Sequence, residues 1–347
     1  MSLFYYLKIE AYNLFNTKLG KSILRLLSGF VYVRGFKKST SKNKYPFTIS
    51  LTIDTESGYV GKNDYRIWQK SNPEAYIGFY KGIENWRILL NKHNAKATFF
   101  LSTNCFSAKN DEYKKIIRQL KLLIREGHEI GMHLHLDSDL ALQHLLGKKF
   151  DATSAKFYNK KEISDVVKAG KELIKKHLGI NVISFRWGNW ALSTDAVKVL
   201  GKNGFKIDSS ATPGIRGHTN DKMAYDWSRV SEHYPWKLSA TDYQNTKHQN
   251  SNILEMPIAT FDFFGLKLRA DPANSFLLNA CFDYYYKNTD TSKKPFVFVV
   301  ISHSIESIYS DGSKTKVIDV VEEFLYHVKK FKDVKLKTLN DSYKLVK

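Results

Sequence analysis

At 347 residues the chain is long enough for one large domain with an extension, or for two modest domains. Its 43% hydrophobic and 25% charged residues are those of an ordinary soluble globular protein. The formal net charge of +20 would draw anions, yet no zinc-finger spacing, RNP-like segment or helix-turn-helix is present, which argues against nucleic acid as a partner.

In chain order, residues 1–45 stand apart. They hold nine Lys or Arg and a single acid, Glu10. Leu3, Leu7, Ala11, Leu14 and Phe15 recur at helical spacing, and Ile23, Leu27, Phe30 and Val31 do so after Gly20. Such basic amphipathic helices suit an anionic membrane surface, or packing on the rest of the chain or on a second subunit of a homo-oligomer. Residues 37–45 read as a polar linker.

From residue 46 to 347 strands and helices alternate. Strands are predicted at Phe47–Ile53, Lys96–Leu101, Glu129–Leu134, Val182–Arg186, Ile253–Pro257, Phe296–Ile301 and Val334–Thr338. Helices are predicted near 112–126 with Gly127 as its stop, at 162–178 ended by Gly179, after a Ser193 or Thr194 cap, and at 316–331. Strand then helix, repeated, means an α/β fold with a parallel sheet or barrel. A helical insertion is expected over Leu140–Tyr158, and the long segment 211–252 is the expected specificity region.

Cys105 and Cys281 make no disulfide framework, so a reducing, cytoplasmic compartment is expected. No apolar run approaches the roughly 18 residues of a membrane span, and the amino terminus lacks the pattern of a secretory signal.

Barrel enzymes carry their reactive groups where strands end at the C-terminal face. Here the first strand ends in Asp54-Thr55-Glu56, and the strand near 129–134 delivers His133, His135 and Asp137. The strand at 182–186 ends in Arg186, followed by Trp187-Gly188-Asn189-Trp190, and that at 296–301 in Ser302-His303-Ser304. Singly, an Asp or His in such a place is a cap or a structural residue more often than a catalyst. Together they offer the mixed nitrogen and oxygen donors that suit Zn²⁺ and similar divalent ions.

At these residues the chain resembles the polysaccharide deacetylase family, also called the NodB-homology or carbohydrate esterase 4 family. The motifs are Thr52-Ile53-Asp54-Thr55-Glu56, Gly127-His128-Glu129-Ile130-Gly131-Met132-His133, Phe185-Arg186, Ile253-Leu254-Glu255-Met256-Pro257-Ile258 and Ile301-Ser302-His303. They follow the family's order over residues 46–345, with Lys202–Ser210 as a further family-like stretch. The resemblance implies a distorted (β/α) barrel of about seven parallel strands behind an N-terminal helical extension. It makes Asp54 the general base, Arg186 the residue that holds it, and His303 the general acid. Glu56 and His133 become ligands of a divalent metal: zinc first, with cobalt, nickel or manganese as alternatives.

The chain departs from the common pattern at position 137, which holds Asp where many members have a second ligand His. Either Asp137 or His135 would complete the site; the reading leans slightly to Asp137, although on a strand His133 and His135 face the same side. The Asp-x-Glu and His-x-His spacing, with Tyr234–Ser239, resembles a divergent branch of lipopolysaccharide and surface-glycan deacetylases.

The implied activity is hydrolysis of an N-acetyl group from a sugar or glycan, lipid- or nucleotide-linked, at the inner face of the membrane. Asn189, Trp190 and Trp236 are the candidate substrate-binding residues, with the backbone N–H of Asn189 as a candidate oxyanion donor. A hydrolase of non-sugar amides and an inactive glycan-binding homologue are the competing readings.

Overall fold

The computed structural model describes residues 18–34, 44–60, 74–218, 220–273 and 277–347. The predicted helix around residues 3–15 and most of the linker lie outside them. Fourteen strands occur among the described residues: β1 Val31–Tyr32, β2 Phe47–Thr55, β3 Ala97–Ser102, β4 Glu129–Leu134, β5 Ser184–Trp187, β6 Ile207–Asp208, β7 Arg216–Gly217, β8 Tyr225–Asp226, β9 Trp236–Lys237, β10 Leu254–Glu255, β11 Thr260–Phe263, β12 Leu266–Arg269, β13 Phe296–His303 and β14 Val334–Leu336.

Every residue of β2, β3, β5 and β13 is buried. Strands buried on both faces need cover on both, and parallel pairing with crossover helices supplies it. The main sheet runs β13-β2-β3-β4-β5-β6-β10-β9. All its pairings are parallel except β10 with β9. Along one edge of β2, β14 covers residues 47–49 and β3 takes over from Leu51. Past β10, Ile258 bridges in parallel to Val299 of β13, so the chain curls back on its first strand. The result is a distorted barrel in which eight strands pair in parallel, β6 being one that the sequence reading did not include, against the about seven that the resemblance implied.

The helices outside the barrel follow their sequence signals. Asn110–Arg125 buries Ile116, Leu120 and Leu123 on one stripe, and the chain turns away at Gly127, whose φ is 80°. Lys160–Leu178 opens with a reciprocal capping box between Asn159 and Glu162 and closes at Gly179 with φ 72°. The Ser193 hydroxyl, rather than Thr194, caps the helix Thr194–Lys202. Three helices, Ile83–Lys92, Leu278–Asn288 and Leu339–Val346, were not anticipated.

The amino-terminal segment differs from its helical reading. The helix spans Lys18–Leu27 and gives way at Ser28-Gly29 to a short 3-10 turn. Val31, whose branched side chain favours extended backbone, then starts β1, which pairs antiparallel with β11; β12 completes a three-stranded sheet. Val31 and Val33 are buried in the same core as the barrel strands. The expected helical insertion is a helix only over Leu140–Leu146, with a 3-10 turn at Ala155–Phe157. Segment 211–252 is held by the β7–β8 pair, by an Arg229–Asp242 ion pair and by the buried Trp227. No helix among the described residues is long and apolar enough to cross a membrane.

Candidate active site

The register of the barrel sets the site. Asp54 on β2 lies directly opposite His303 on β13, and His133 on β4 directly opposite Arg186 on β5. Partners across a ladder face the same side, so base, acid, ligand and guanidinium emerge at one end.

Arg186 is wholly buried and fully engaged. Its Nη1 donates to Asp54 Oδ1 at 2.7 Å, Nη2 to the hydroxyls of Thr52 and Ser209 at 2.9 Å each, and Nε to the carbonyl of Ser209 at 2.7 Å. Its guanidinium stacks on Phe100, 4.4 Å from the ring centroid. To reach Asp54 the side chain must cross two intervening strands, and Gly131 keeps that route open. A Cβ there would lie 2.7 Å from the Phe100 ring. The glycine of the Gly-x-His stretch is thus a packing requirement beneath the arginine.

Glu56 receives two imidazoles. Its Oε1 lies 3.0 Å from His133 Nε2 and 3.1 Å from His135 Nε2. His133 Nδ1 meets the carbonyl of Arg186 at 3.0 Å and must donate there, while its Nε2 is hydrogen-bonded with Glu56. Gly188 makes room for the second imidazole, since a Cβ at 188 would sit 2.7 Å from His135 Cδ2. Burial alone would raise the Glu56 pKa, but the two histidines and the charge of His303 hold it well below the ordinary carboxylate value. Burial pulls the His135 pKa down, and Glu56, Asp137 and Asp54 together raise it above the usual imidazole value.

Glu56, His133 and His135 offer three donor atoms within 4.8 Å of one another. Two imidazole nitrogens and one carboxylate oxygen, with one ring's tautomer fixed by a backbone carbonyl, form a donor set suited to a zinc-like ion. Asp137 is not brought to this cluster. It accepts a hydrogen bond from Thr153 Oγ1 at 2.6 Å, because the chain turns after His135 and carries position 137 toward the 151–158 segment. Between the two alternatives at the third position, the geometry favours His135.

His303 Nε2 lies 3.7 Å from Asp54 Oδ2, and its Nδ1 forms a 3.1 Å ion pair with Glu306. Glu306 is wholly buried; its other oxygen accepts the Ser302 hydroxyl at 2.7 Å and the His303 N–H at 2.8 Å. Burial lowers the His303 pKa, but Glu306, then Glu56 and Asp54, outweigh it and push the imidazole up to about 10. Sequence reasoning passed over Glu306. Its signal is a His-x-x-Glu spacing at a strand end, which looks like an ordinary helix cap.

The residues after Arg186 take unusual backbone shapes. Asn189 (φ 48°) and Trp190 (φ 56°) are successive left-handed residues, costly for a bulky side chain and frequent at functional sites. The Asn189 Nδ2 and Trp190 Nε1 are buried and have no hydrogen-bond partner among the described residues. Arg269 stacks on the Trp190 ring at 3.9 Å. Trp236 is not at the mouth: it lies in β9, 3% exposed, as part of the core, and its placement gives it no ring face to offer a sugar. Trp187 is likewise buried, its Nε1 donating to the carbonyl of Thr153 at 2.7 Å.

Behind Arg186, Asp208 and Glu255 face each other on β6 and β10. Burial raises both pKa values, Asp208 in spite of its hydrogen bond with Glu255, and the charge of Asp208 adds to burial in pushing Glu255 well above the usual range.

Comparison with known proteins agrees with this layout. Residues 82–207 match the family model described as polysaccharide deacetylase. That span carries His133, His135 and Arg186, while Asp54, Glu56 and His303 lie on either side of it. Among solved structures, a Mycobacterium smegmatis protein assigned as a polysaccharide deacetylase superposes with a TM-score of 0.58 at 14% identity, over 91% of this chain and 95% of that one. The allantoinase PuuE gives 0.56 at 11%, over 90% and 96%. A Pseudomonas aeruginosa PAO1 protein, also assigned as a polysaccharide deacetylase, gives 0.53 at 11%, over 86% and 90%. At such identities these likenesses speak for the fold alone. No curated protein sequence matches the chain. Residues 82–207 thus match the polysaccharide deacetylase family, and the barrel built around them has the fold of those solved structures.

Proposed function

We propose that the chain is a metal-dependent N-deacetylase that hydrolyses the acetamide of an N-acetylated sugar during surface-polysaccharide or lipopolysaccharide assembly. The observation that carries this reading is the meeting of an Arg186-held Asp54, an acidic partner in His303 and the Glu56–His133–His135 donor set at one strand-end cluster.

Glu56, His133 and His135 would hold the ion, His135 taking the third position in preference to Asp137. A bound divalent ion, zinc first among the candidates, supplies polarisation of the acyl oxygen and a water of lowered pKa. Asp54 takes the water proton, and the bond from Arg186 keeps its carboxylate aimed. The backbone N–H of Asn189 supports the developing oxyanion. His303, held protonated by Glu306, gives its proton to the departing sugar amine. Trp190, with Arg269 across one face, borders the acceptor side, and Arg216 and Arg269 supply positive charge suited to a phosphate of a lipid- or nucleotide-linked sugar. A non-sugar amide hydrolase needs the same machinery, so the substrate decides between them. An inactive glycan-binding homologue leaves the complete set of base, arginine and acid without a purpose.

The test combines metal analysis with acetate release from an N-acetylated oligosaccharide. About one divalent ion per chain and chelator-sensitive release are expected. Asp54→Asn should lower release by about 100-fold or more while retaining the ion. A protein that binds no ion, or an active Asp54→Asn variant, sinks the mechanism; an ion-binding protein inert on sugars but active on small amides sinks the substrate alone.

A further inference from the structure

Ten large hydrophobic side chains are exposed among the described residues, and five of them lie in one place: Leu26 (79%), Phe30 (53%), Tyr32 (41%), Phe264 (60%) and Leu266 (51%). The other five, Ile88, Leu145, Phe157, Tyr326 and Leu345, are scattered over five separate elements. Leu26 precedes Phe30 by four residues at the end of the helix. The Phe30 ring lies 4.6 Å from that of Phe264, at the tip of the β11–β12 hairpin. Leu266 follows across the turn, paired with Phe263. The Phe30–Phe264 contact therefore joins the helix end to the hairpin tip.

The hairpin tip carries a second signal. Phe264 (φ 47°) and Gly265 (φ 80°) form a two-residue turn with both residues left-handed. Asn or Asp normally precedes Gly in such a turn, and an aromatic ring there is strained. A residue kept at a cost to the fold, and left in solvent, has a use outside the fold.

Charge selects the occupant. From Lys18 to Arg34 the sequence has Lys18, Lys21, Arg25 and Arg34 and no acid. Beside the patch a cavity of about 120 Å³ is lined by Arg34, Arg229, His233, Lys267 and the buried Asp262. Arg229 already pairs with Asp242, and Lys267 donates to the carbonyl of Gly214, so the cavity adds positive field rather than a built phosphate site. A second copy of a +20 chain would meet this basic face with its own, whereas acidic headgroups complement it.

We propose that the helix end and the hairpin tip together dock the protein on the surface of an anionic lipid bilayer, the aromatic and leucine side chains entering the interface and the basic composition of the segment favouring acidic headgroups. The hairpin runs back from this tip to Arg269, which stacks on Trp190 at the candidate active site. Three residues of strand between Leu266 and Arg269 span about 10 Å. Docking would thus hold the mouth beside the headgroups, in reach of a glycan carried on a lipid.

The test is sedimentation of the full chain with vesicles of phosphatidylglycerol and phosphatidylcholine, and of phosphatidylcholine alone, at low and high salt. The wild type should sediment with the anionic vesicles and release in salt. Phe30→Asp/Phe264→Asp should weaken binding about tenfold or more, with acetate release from a soluble oligosaccharide unchanged. Equal binding of wild type and variant, equal binding to neutral vesicles, or a wild-type dimer that the variant dissociates would each overturn the proposal. None of these outcomes depends on the hydrolytic reading, which the soluble assay reports separately.

Discussion

His303 shows how one residue's duty is set by a neighbour that does not touch the chemistry. A proton donor must be protonated when the amine leaves, and Glu306 keeps this imidazole charged up to about pH 10. Replacing Glu306 by Gln removes the buried charge while preserving shape. The His303 pKa then falls, so the alkaline limb of kcat/KM should move to lower pH, by about one unit or more. A pH profile unmoved on its alkaline side would mean that Glu306 only caps the strand end. The sequence exposed His303 but hid Glu306, because a carboxylate three residues past a strand end has a commoner use at a helix start. It exposed His133 and His135 through strand periodicity. The pull toward Asp137 came from motif spacing, and spacing cannot foresee a turn that hands the carboxylate to Thr153. Trp236 failed similarly: a tryptophan between predicted strands looked available, yet it fills the core.

Elements carry the next layer, and β4 is the instructive one. Gly131 lets Phe100 lie flat under Arg186, so a methyl at 131 should disturb catalysis without touching any reacting group. Gly131→Ala is expected to cost about 1–3 kcal/mol of stability through overpacking. It should also lower kcat more than it raises KM, since the guanidinium that aims Asp54 shifts with its ring support. Thermal melting and steady-state kinetics measure the two effects, and a variant with wild-type kcat would show that the ring yields without moving the arginine. The long strands were readable because β-branched runs bounded by helices leave few alternatives. The hairpin Thr260–Arg269 went unread although its alternation and Gly265 were visible; its turn begins with Phe264, a residue that turn chemistry gives no reason to expect. The helix at Leu278–Asn288 is rich in tyrosine and phenylalanine, which favour strands, and tertiary packing decides it.

At the scale of the molecule, the ligands that would grip the ion come from two strands, β2 and β4, with β3 between them. An ion held there ties distant parts of the sequence and binds only the folded chain. Chelation should therefore lower the melting temperature as well as abolish turnover, and zinc at 100 times its dissociation constant should restore about 2.7 kcal/mol. His133→Ala should remove that dependence, and a melting curve indifferent to chelator in the wild type would place the ion elsewhere or nowhere. The barrel class followed from strand order and end-of-strand chemistry together. The docking face did not, because it joins a helix near residue 26 to a turn at residue 264, two segments that nothing in linear order connects.

One pairing has a bearing on how this molecule fails. Asp54 and His303 are neighbours in an eight-pair parallel ladder between β2 and β13. A slip of a single position would turn one side chain inward and its opposite number outward. Damage at this junction is therefore not graded: proton uptake and proton delivery stay matched while the two strands keep their alignment, and are lost in one stroke when they do not.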